Sequence, residues 1–506
     1  MTTRDPYDEE DVEPVGGHGK RRRAAPAADV GDDSVEGDGI DRTLAFKRAN
    51  DRGNADRLIA RHGEDMFYVP MNGWFIWRGH SFEHDPEGDE ALIRCHQTAE
   101  AIYAEARALE AKPGRTSPER IAQLFKWAET SGNEPKARSM LAAARPYLAK
   151  RLNELDSDPF LAACENGTIL LRNLVEQKAS ERKDLITRRL GVPFVEGTPC
   201  PRWTTFLERV MPDPELRAFL QRCAGYWLTG STREECIFIF YGTGLNGKST
   251  FVNVVRRVMG GYAMHTPVAT FLAKREGGSG SEHSADVARL VNIRLLTVSE
   301  PPQSGRLDES RIKDVTSKDP ITARHLREAF FEFLSKFKVV LSTNHYPVIR
   351  GTDFGIWRRI RMVPWTVTIP EDEVDRELEA KLVTEAPGVL QWMLDGVEEW
   401  LRIGLAPPEK ARNAVEEYRA AQDPVGEFLA AKCEITGDYP SPSTGRPYEV
   451  TAKAMRDAYK AWCEEEGLDP IKGNVFGARL LTKGITKRKT NGCTVYVGVH
   501  LNWEAT

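Results

Sequence analysis

Residues 238–250 constrain this chain more than any other stretch. From Cys236 to Tyr241 the sequence is short, apolar, rich in β-branched and aromatic residues and bounded by glycine, as a buried strand would be. After Ser249 the apolar residues Phe251, Val254, Val255 and Val258 recur at helical spacing until Gly260 and Gly261 stop the run. Between strand and helix lie Gly242, Thr243, Gly244, Leu245, Asn246, Gly247, Lys248, Ser249 and Thr250, which fit the phosphate-binding pattern G-x-x-x-x-G-K-S/T. The chemistry needs those residue types. Glycines let backbone N–H groups close around phosphate oxygens, and the helix N-terminus adds positive potential. Lys248 is placed to reach the outer phosphates of ATP, and Ser249 to ligate Mg²⁺. The bland alternative is a surface glycine turn, and the flanking strand and helix weigh against it.

The length of 506 residues predicts two to four domains. No apolar run approaches a membrane span, and the first residues have no signal-peptide core, so no membrane partner is expected. Eight cysteines are scattered with no C-x-x-C pair, which fits a reducing cytoplasm and argues against a structural zinc site. With a net charge of −5, any nucleic-acid contact must come from local basic patches.

Composition and periodicity divide the chain. Residues 1–40 read as a disordered charged tail whose Lys20, Arg21, Arg22 and Arg23 are either solvated or a nucleic-acid contact. Residues 41–155 read as a small α+β domain of unassigned role, with a hairpin at 67–77 and helices at 90–111, 118–130 and 135–155. Its Trp74 and Trp77 are either core or base-stacking platforms. Residues 156–233 lead into the phosphate loop, with a hairpin about Asn166 and Gly167 and a helix opened by Asp213, Pro214 and Glu215. Residues 234–370 form the predicted α/β core, 371–430 its helical closure, and 431–506 a separate tail domain.

Beyond the phosphate loop, a second apolar strand at 293–298 ends in Ser299 and Glu300. An acid at such a strand tip is where a nucleotidase holds Mg²⁺ and polarises water. A third strand, 338–343, ends in Asn344, an amide that either orients the water or merely starts a turn. Residues 321–334 read as a hairpin with a basic tip containing Arg324, His325 and Arg327. Arg358 and Arg359 then lie on a solvated strand edge or point into a neighbouring subunit's nucleotide.

Taken in order, Gly242–Ser249, residues 294–300, 307–313, 319–324, 342–353 and 356–360 resemble the superfamily III helicases of phage and plasmid primase-helicase proteins, related to the poxvirus primase-helicase. The resemblance spans residues 160–365, and more weakly reaches the domain that precedes the helicase in that family. It implies an AAA+-like α/β core with a central parallel sheet that assembles as a ring, usually a homo-hexamer, and moves 3′→5′ on single-stranded DNA. Carried over, Lys248 and Ser249 hold phosphates and Mg²⁺, Glu300 is the second-motif acid, and Asn344 is the polar sensor. Residues 321–334 become the pore hairpin, and Arg358 or Arg359, with Arg350 behind them, the arginine given in trans. Many members place two acids where this chain has Ser299 and Glu300.

The tail reads as helix, helix and basic hairpin, an outline that resembles the winged-helix domain of these proteins. Lys472, Arg479, Lys483, Lys487, Arg488 and Lys489 supply its charge, for DNA or for docking to protein. The sequence-based reading is therefore an ATP- and Mg²⁺-dependent replicative DNA helicase acting with a separate primase or polymerase. No zinc ribbon and no acidic cluster precede residue 156, and that segment is short, so the chain itself is expected to make no primers. An ATP-switched origin-binding initiator and a protein-remodelling AAA+ ATPase are the alternatives.

Overall fold

The computed structural model describes residues 36–111, 116–172, 175–272, 287–302, 305–324, 330–349, 354–440, 445–490 and 492–502. The basic cluster at 20–23, and His325, Arg327 and Arg350, lie outside these residues.

Five parallel strands make the central sheet, in the order Ile360–Pro364, Ile237–Tyr241, Lys338–Thr343, Leu295–Val298 and Ala263–Thr266. Parallel strands require crossovers that cover both faces, which is why the three inner segments read as largely apolar runs. Side-chain alternation sends Phe238 and Phe240 to one face and Ile237 and Ile239 to the other. The first face packs under the helices Pro201–Val210, Pro214–Leu228, Lys248–Met259 and Ala386–Ile403, around Trp203, Trp227, Phe251, Trp365 and Trp400. The second packs with Phe333, Trp357 and Tyr418. The edge strand Ala263–Thr266 has too few apolar residues to announce itself in the sequence.

Two helices on the first face meet backbone to backbone. A Cβ on Gly225 of Pro214–Leu228 would lie 2.2 Å from the carbonyl carbon of Gly396, and one on Gly396 2.1 Å from the carbonyl oxygen of Gln221. The helix Pro214–Leu228 starts as its sequence dictates, with Asp213 accepting from the N–H groups of Glu215 and Leu216 and Pro214 in the first turn.

Residues 156–231 are bound to the amino-terminal end of the sheet by buried and half-buried cations. Arg294 donates to the carbonyl oxygens of Leu228 and Leu161 and lies over the Tyr262 ring. Lys338 donates to the Thr229 and Ser231 carbonyls. Lys336, whose pKa burial pulls down to about 8, donates to the Asp156 carbonyl and to Asn292 Oδ1.

Before residue 156, helices surround the antiparallel strands Met66–Val69, Gly73–Trp77 and Phe82–Asp85. Trp74 is buried core there, and Trp77 packs edge-on against Phe82. The helix expected over 135–155 stops earlier, at Ala144, because Pro146 opens a single 3₁₀ turn, Arg145–Tyr147. Arg57 and Glu105 form a fully buried ion pair at 2.7 Å, and Arg61 joins Glu105 at 3.0 Å.

At the other end, Ala452–Glu465, Gly473–Thr482 and the hairpin Thr486–Thr490 with Cys493–Val497 share a core with Val425, Phe428 and Leu429 of the helix Pro424–Lys432.

Replacing Gly396 with alanine forces a methyl group against a backbone that cannot retreat. The expected loss is about 2–3 kcal/mol, within the usual cost of overpacking. Urea denaturation followed by tryptophan fluorescence checks this, since Trp203, Trp227 and Trp400 share that core.

Candidate functional site

The carboxyl ends of the strands Ile237–Tyr241, Leu295–Val298 and Lys338–Thr343 open onto a cavity of about 900 Å³. Ligand sites of parallel α/β sheets lie at this edge. The cavity is lined by Gly244–Thr250, Ser299, Glu300 and Asn344.

The loop is shaped by its glycines and by contacts on both sides. Gly244 and Gly247 take φ of +102° and +81°, in the left-handed region that favours glycine. Gly242 has no room for a side chain, because a Cβ would stand 2.2 Å from the Trp365 carbonyl oxygen. That same oxygen accepts from Asn246 Nδ2 at 3.4 Å, while the Trp365 N–H donates to the Tyr241 carbonyl at 2.7 Å. Phe206 and Val210 close the outer side, approaching within 3.0 and 2.8 Å of a Cβ built on Gly247.

The loop lysine and the two strand-end residues form one hydrogen-bonded chain. Lys248 Nζ donates to the Gly242 carbonyl and, at 2.9 Å, to Asn344 Oδ1. Asn344 in turn donates its backbone N–H to Glu300 Oε1 at 2.7 Å and its amide Nδ2 to Oε2 at 3.2 Å. Burial pushes the Lys248 pKa down, and the Glu300 carboxylate acts against that shift. The carboxylate is thus held by two donors of the neighbouring strand end, and Ser249 opens into the same cavity. Two acceptor oxygens beside a hydroxyl and a loop of backbone donors suit a phosphate-bound divalent cation.

Sequence reasoning missed part of the wall. Arg202, Thr205, Phe206 and Arg209 contribute from the helix Pro201–Val210, and Ile369, Val374 and Leu378 from the segment after the last core strand. Nothing in those residue types marks a site, because only tertiary packing brings them to the loop. His265 also lines the cavity from the edge strand. Tyr346, two residues past Asn344, stacks between Tyr241 and Tyr418 at centroid distances of 4.1 and 4.6 Å.

The remaining residues singled out in the sequence lie elsewhere. Arg358 and Arg359 precede the strand Ile360–Pro364, which runs parallel to Ile237–Tyr241 with Ile360 opposite Ile237. They therefore stand at the opposite end of the sheet from the loop, a strand length of about 15 Å at 3.3 Å per residue. Arg358 pairs with Glu235 at 2.9 Å and is well exposed, whereas Arg359 is largely buried on Thr316 Oγ1 and the Gly355 carbonyl. Arg324 lies over the Phe330 ring, and Phe330 and Leu334 are exposed beside the short hairpin Ile321–Ala323 with Phe331–Phe333. In the tail, Lys487, Arg488 and Lys489 are exposed on Thr486–Thr490, with Arg488 paired to Glu449. Arg479 and Lys483, counted among the tail's cations, turn instead toward Asp423. Among the described residues no cluster of His, Cys, Asp and Glu suited to a metal is present, and no helix is long and apolar enough to cross a membrane.

Residues 55–212 match a family model described as D5 N terminal like, and residues 240–359 match a family of unknown function, DUF5906. The chain is 26% identical over 303 residues, 55% of its length and 31% of the relative's, to a protein of Acanthamoeba polyphaga mimivirus that bears a helicase name. It is 24% identical over 224 residues, 42% of its length and 28% of the relative's, to primase D5 of fowlpox virus. It spans about a quarter to a third of the length of the curated relatives it matches. The apo C-terminal region of NrS-1 aligns with 88% of this chain and 99% of that one at 12% identity and a TM-score of 0.49.

One expectation is overturned. Primer synthesis was judged foreign to this chain because the segment before residue 156 is short and lacks an acidic cluster. Most of that segment falls inside the D5 N-terminal-like match, and proteins named primases are among the relatives, so primer synthesis is a plausible activity here. A missing sequence signature was no evidence of a missing domain. The ordered motifs on a parallel sheet, together with the two family matches, make the chain similar to the D5-like primase-helicases.

Proposed function

We propose that this chain is the ATP-driven motor of a phage- or plasmid-type replication protein, moving on single-stranded DNA as a ring of identical subunits. One observation carries the reading: the continuous hydrogen-bonded chain Lys248–Asn344–Glu300 across the mouth of a cavity large enough for a nucleotide. ATP with Mg²⁺ would supply a phosphoryl group for transfer to water. Lys248 and the loop N–H groups would bind the phosphates, Ser249 and Glu300 would hold the cation, and Glu300 would orient the water. Asn344 bonds to both Lys248 and Glu300, so a change of charge at the lysine is felt at the acid.

The charge-neutralising arginine belongs to a neighbouring subunit in this reading. An arginine at the amino-terminal end of the sheet cannot reach its own loop, and Arg358 is favoured over Arg359 because it is the more exposed of the two. The exposed Phe330 and Leu334, with Arg324, offer a stacking and cationic surface to the strand in the ring's opening. The exposed Lys487 and Lys489 of the tail hairpin add phosphate contacts.

ATP turnover measured with and without single-stranded DNA tests the reading, and stimulation is expected. Lys248→Ala should abolish nucleotide binding and turnover. Hydrolysis indifferent to single strands would point instead to an origin-binding switch or a protein remodeller.

Arg358→Ala should cut turnover by about 10³-fold, the low end of arginine-finger losses, while leaving nucleotide binding intact. Mixing Arg358→Ala with Lys248→Ala subunits should restore turnover, because some interfaces then combine an intact loop with an intact arginine. No recovery on mixing would show that the arginine works within its own subunit, or not at all.

A further inference from the structure

The edge strand Ala263–Thr266 carries His265 to the cavity, where it bridges two hydroxyls of the adjoining strand and its end. Its Nδ1 lies 3.1 Å from Thr297 Oγ1, and its Nε2 lies 3.0 Å from Ser299 Oγ. The direction of these bonds follows from one end of the chain. The Thr297 hydroxyl donates to the Met264 carbonyl oxygen at 3.3 Å, and a carbonyl oxygen only accepts. A hydroxyl has one proton, so with that proton on the Met264 carbonyl Thr297 Oγ1 accepts from His265, and Nδ1 carries the N–H. Burial and the nearby Arg256 guanidinium push the imidazole pKa below its ordinary value, which favours the neutral ring. A neutral ring protonated at Nδ1 has a bare Nε2. Ser299 must therefore donate its proton to the ring.

We propose that His265 is a positioning residue that turns the Ser299 proton away from the cavity and fixes the hydroxyl oxygen as an acceptor beside Glu300. The proposal rests on the reading of this cavity as a Mg²⁺-nucleotide site. It explains how one carboxylate serves where two acids are common in the proteins this chain resembles. Left to itself, a serine hydroxyl rotates and presents either a proton or a lone pair. With its proton held by Nε2, it presents only lone pairs, the polarity an acid would have there. With a hydrated cation bound, Ser299 would offer a lone pair to its water shell, and Glu300 would keep its charge for the cation and the attacking water. The arrangement Thr297–His265–Ser299 thus does for a hydroxyl what a carboxylate does for a metal-ligating imidazole: it fixes which atom faces outward.

The test separates this proposal from the reading beneath it. A fluorescent ATP analogue is titrated against the full chain with Mg²⁺ and with EDTA, and the ratio of the two affinities is the readout. His265→Ala and Ser299→Ala should each reduce that ratio by about 10-fold, the low end of losses when a group that holds a metal ligand is removed. The double variant should be no worse than either single one. His265→Gln, whose amide oxygen can accept from Ser299, should recover part of the loss. Ser299→Asp should make His265 dispensable. In the unsubstituted protein, ¹⁵N spectra of labelled histidine should show the His265 ring protonated at Nδ1, a measurement that does not depend on any variant folding. Additive losses in the double variant, or a ring protonated at Nε2, would overturn the proposal. Unchanged analogue binding by Lys248→Ala would instead overturn the nucleotide reading itself.

Discussion

The ladder between Ile237–Tyr241 and Lys338–Thr343 is the constraint on which the site depends. Its register sets Thr343 beside Tyr241, so the next residue on each strand, Asn344 and Gly242, emerge side by side. Lys248 can then touch both at once. A slip of one residue would turn every side chain of the strand to the opposite face. Phe238 and Phe240 would leave the tryptophan-rich cluster, and the amide at 344 would be carried away from the lysine. The chemistry at the rim is therefore specified by hydrophobic alternation several residues below it.

The opposite end of the same sheet solves a different problem. Arg294 and Lys338 are almost fully buried, and an unpaired charge there would be prohibitive. Each is met by backbone carbonyl oxygens from the segment before the phosphate loop or from the turn that follows the helix Pro214–Leu228. The parallel-sheet core and the region that precedes it are thus joined by polar groups that neither could bury alone, and the apolar cluster running from Phe160 through Val258 to Trp400 crosses the same boundary.

How much of this could be read from the sequence depended on how local the cause was. The conformation of the glycine-rich loop, its strand and its helix were legible because glycine conformation, apolar runs and capping act over a few residues. The helix beginning at Asp213 was legible for the same reason, down to its cap. Glu300 and Asn344 were legible as strand ends, but only the sheet order shows that they are neighbours bonded to each other. Arg479 and Lys483 were read as charge for DNA or for docking to protein, whereas Asp423, which caps the helix Pro424–Lys432, lies against both. His265 gave no signal, since a four-residue edge strand has no periodicity to detect. The segment before residue 156 misled in another way: looking for an acidic cluster tested one kind of primase chemistry and was taken to exclude all of them.

The glycine contact between Pro214–Leu228 and Ala386–Ile403 has a mechanical meaning. Where two main chains touch with no side chain between them, neither helix can roll or slide without lifting off the other, and close-packed interiors resist that strongly. The pair behaves as a single stiff strut, with the Trp392 and Phe251 rings wedged between it and the phosphate-loop helix. Displacement beginning at the loop is consequently delivered to residues on either side of this strut as rotation of one body, and bending is left to the connections at its two ends.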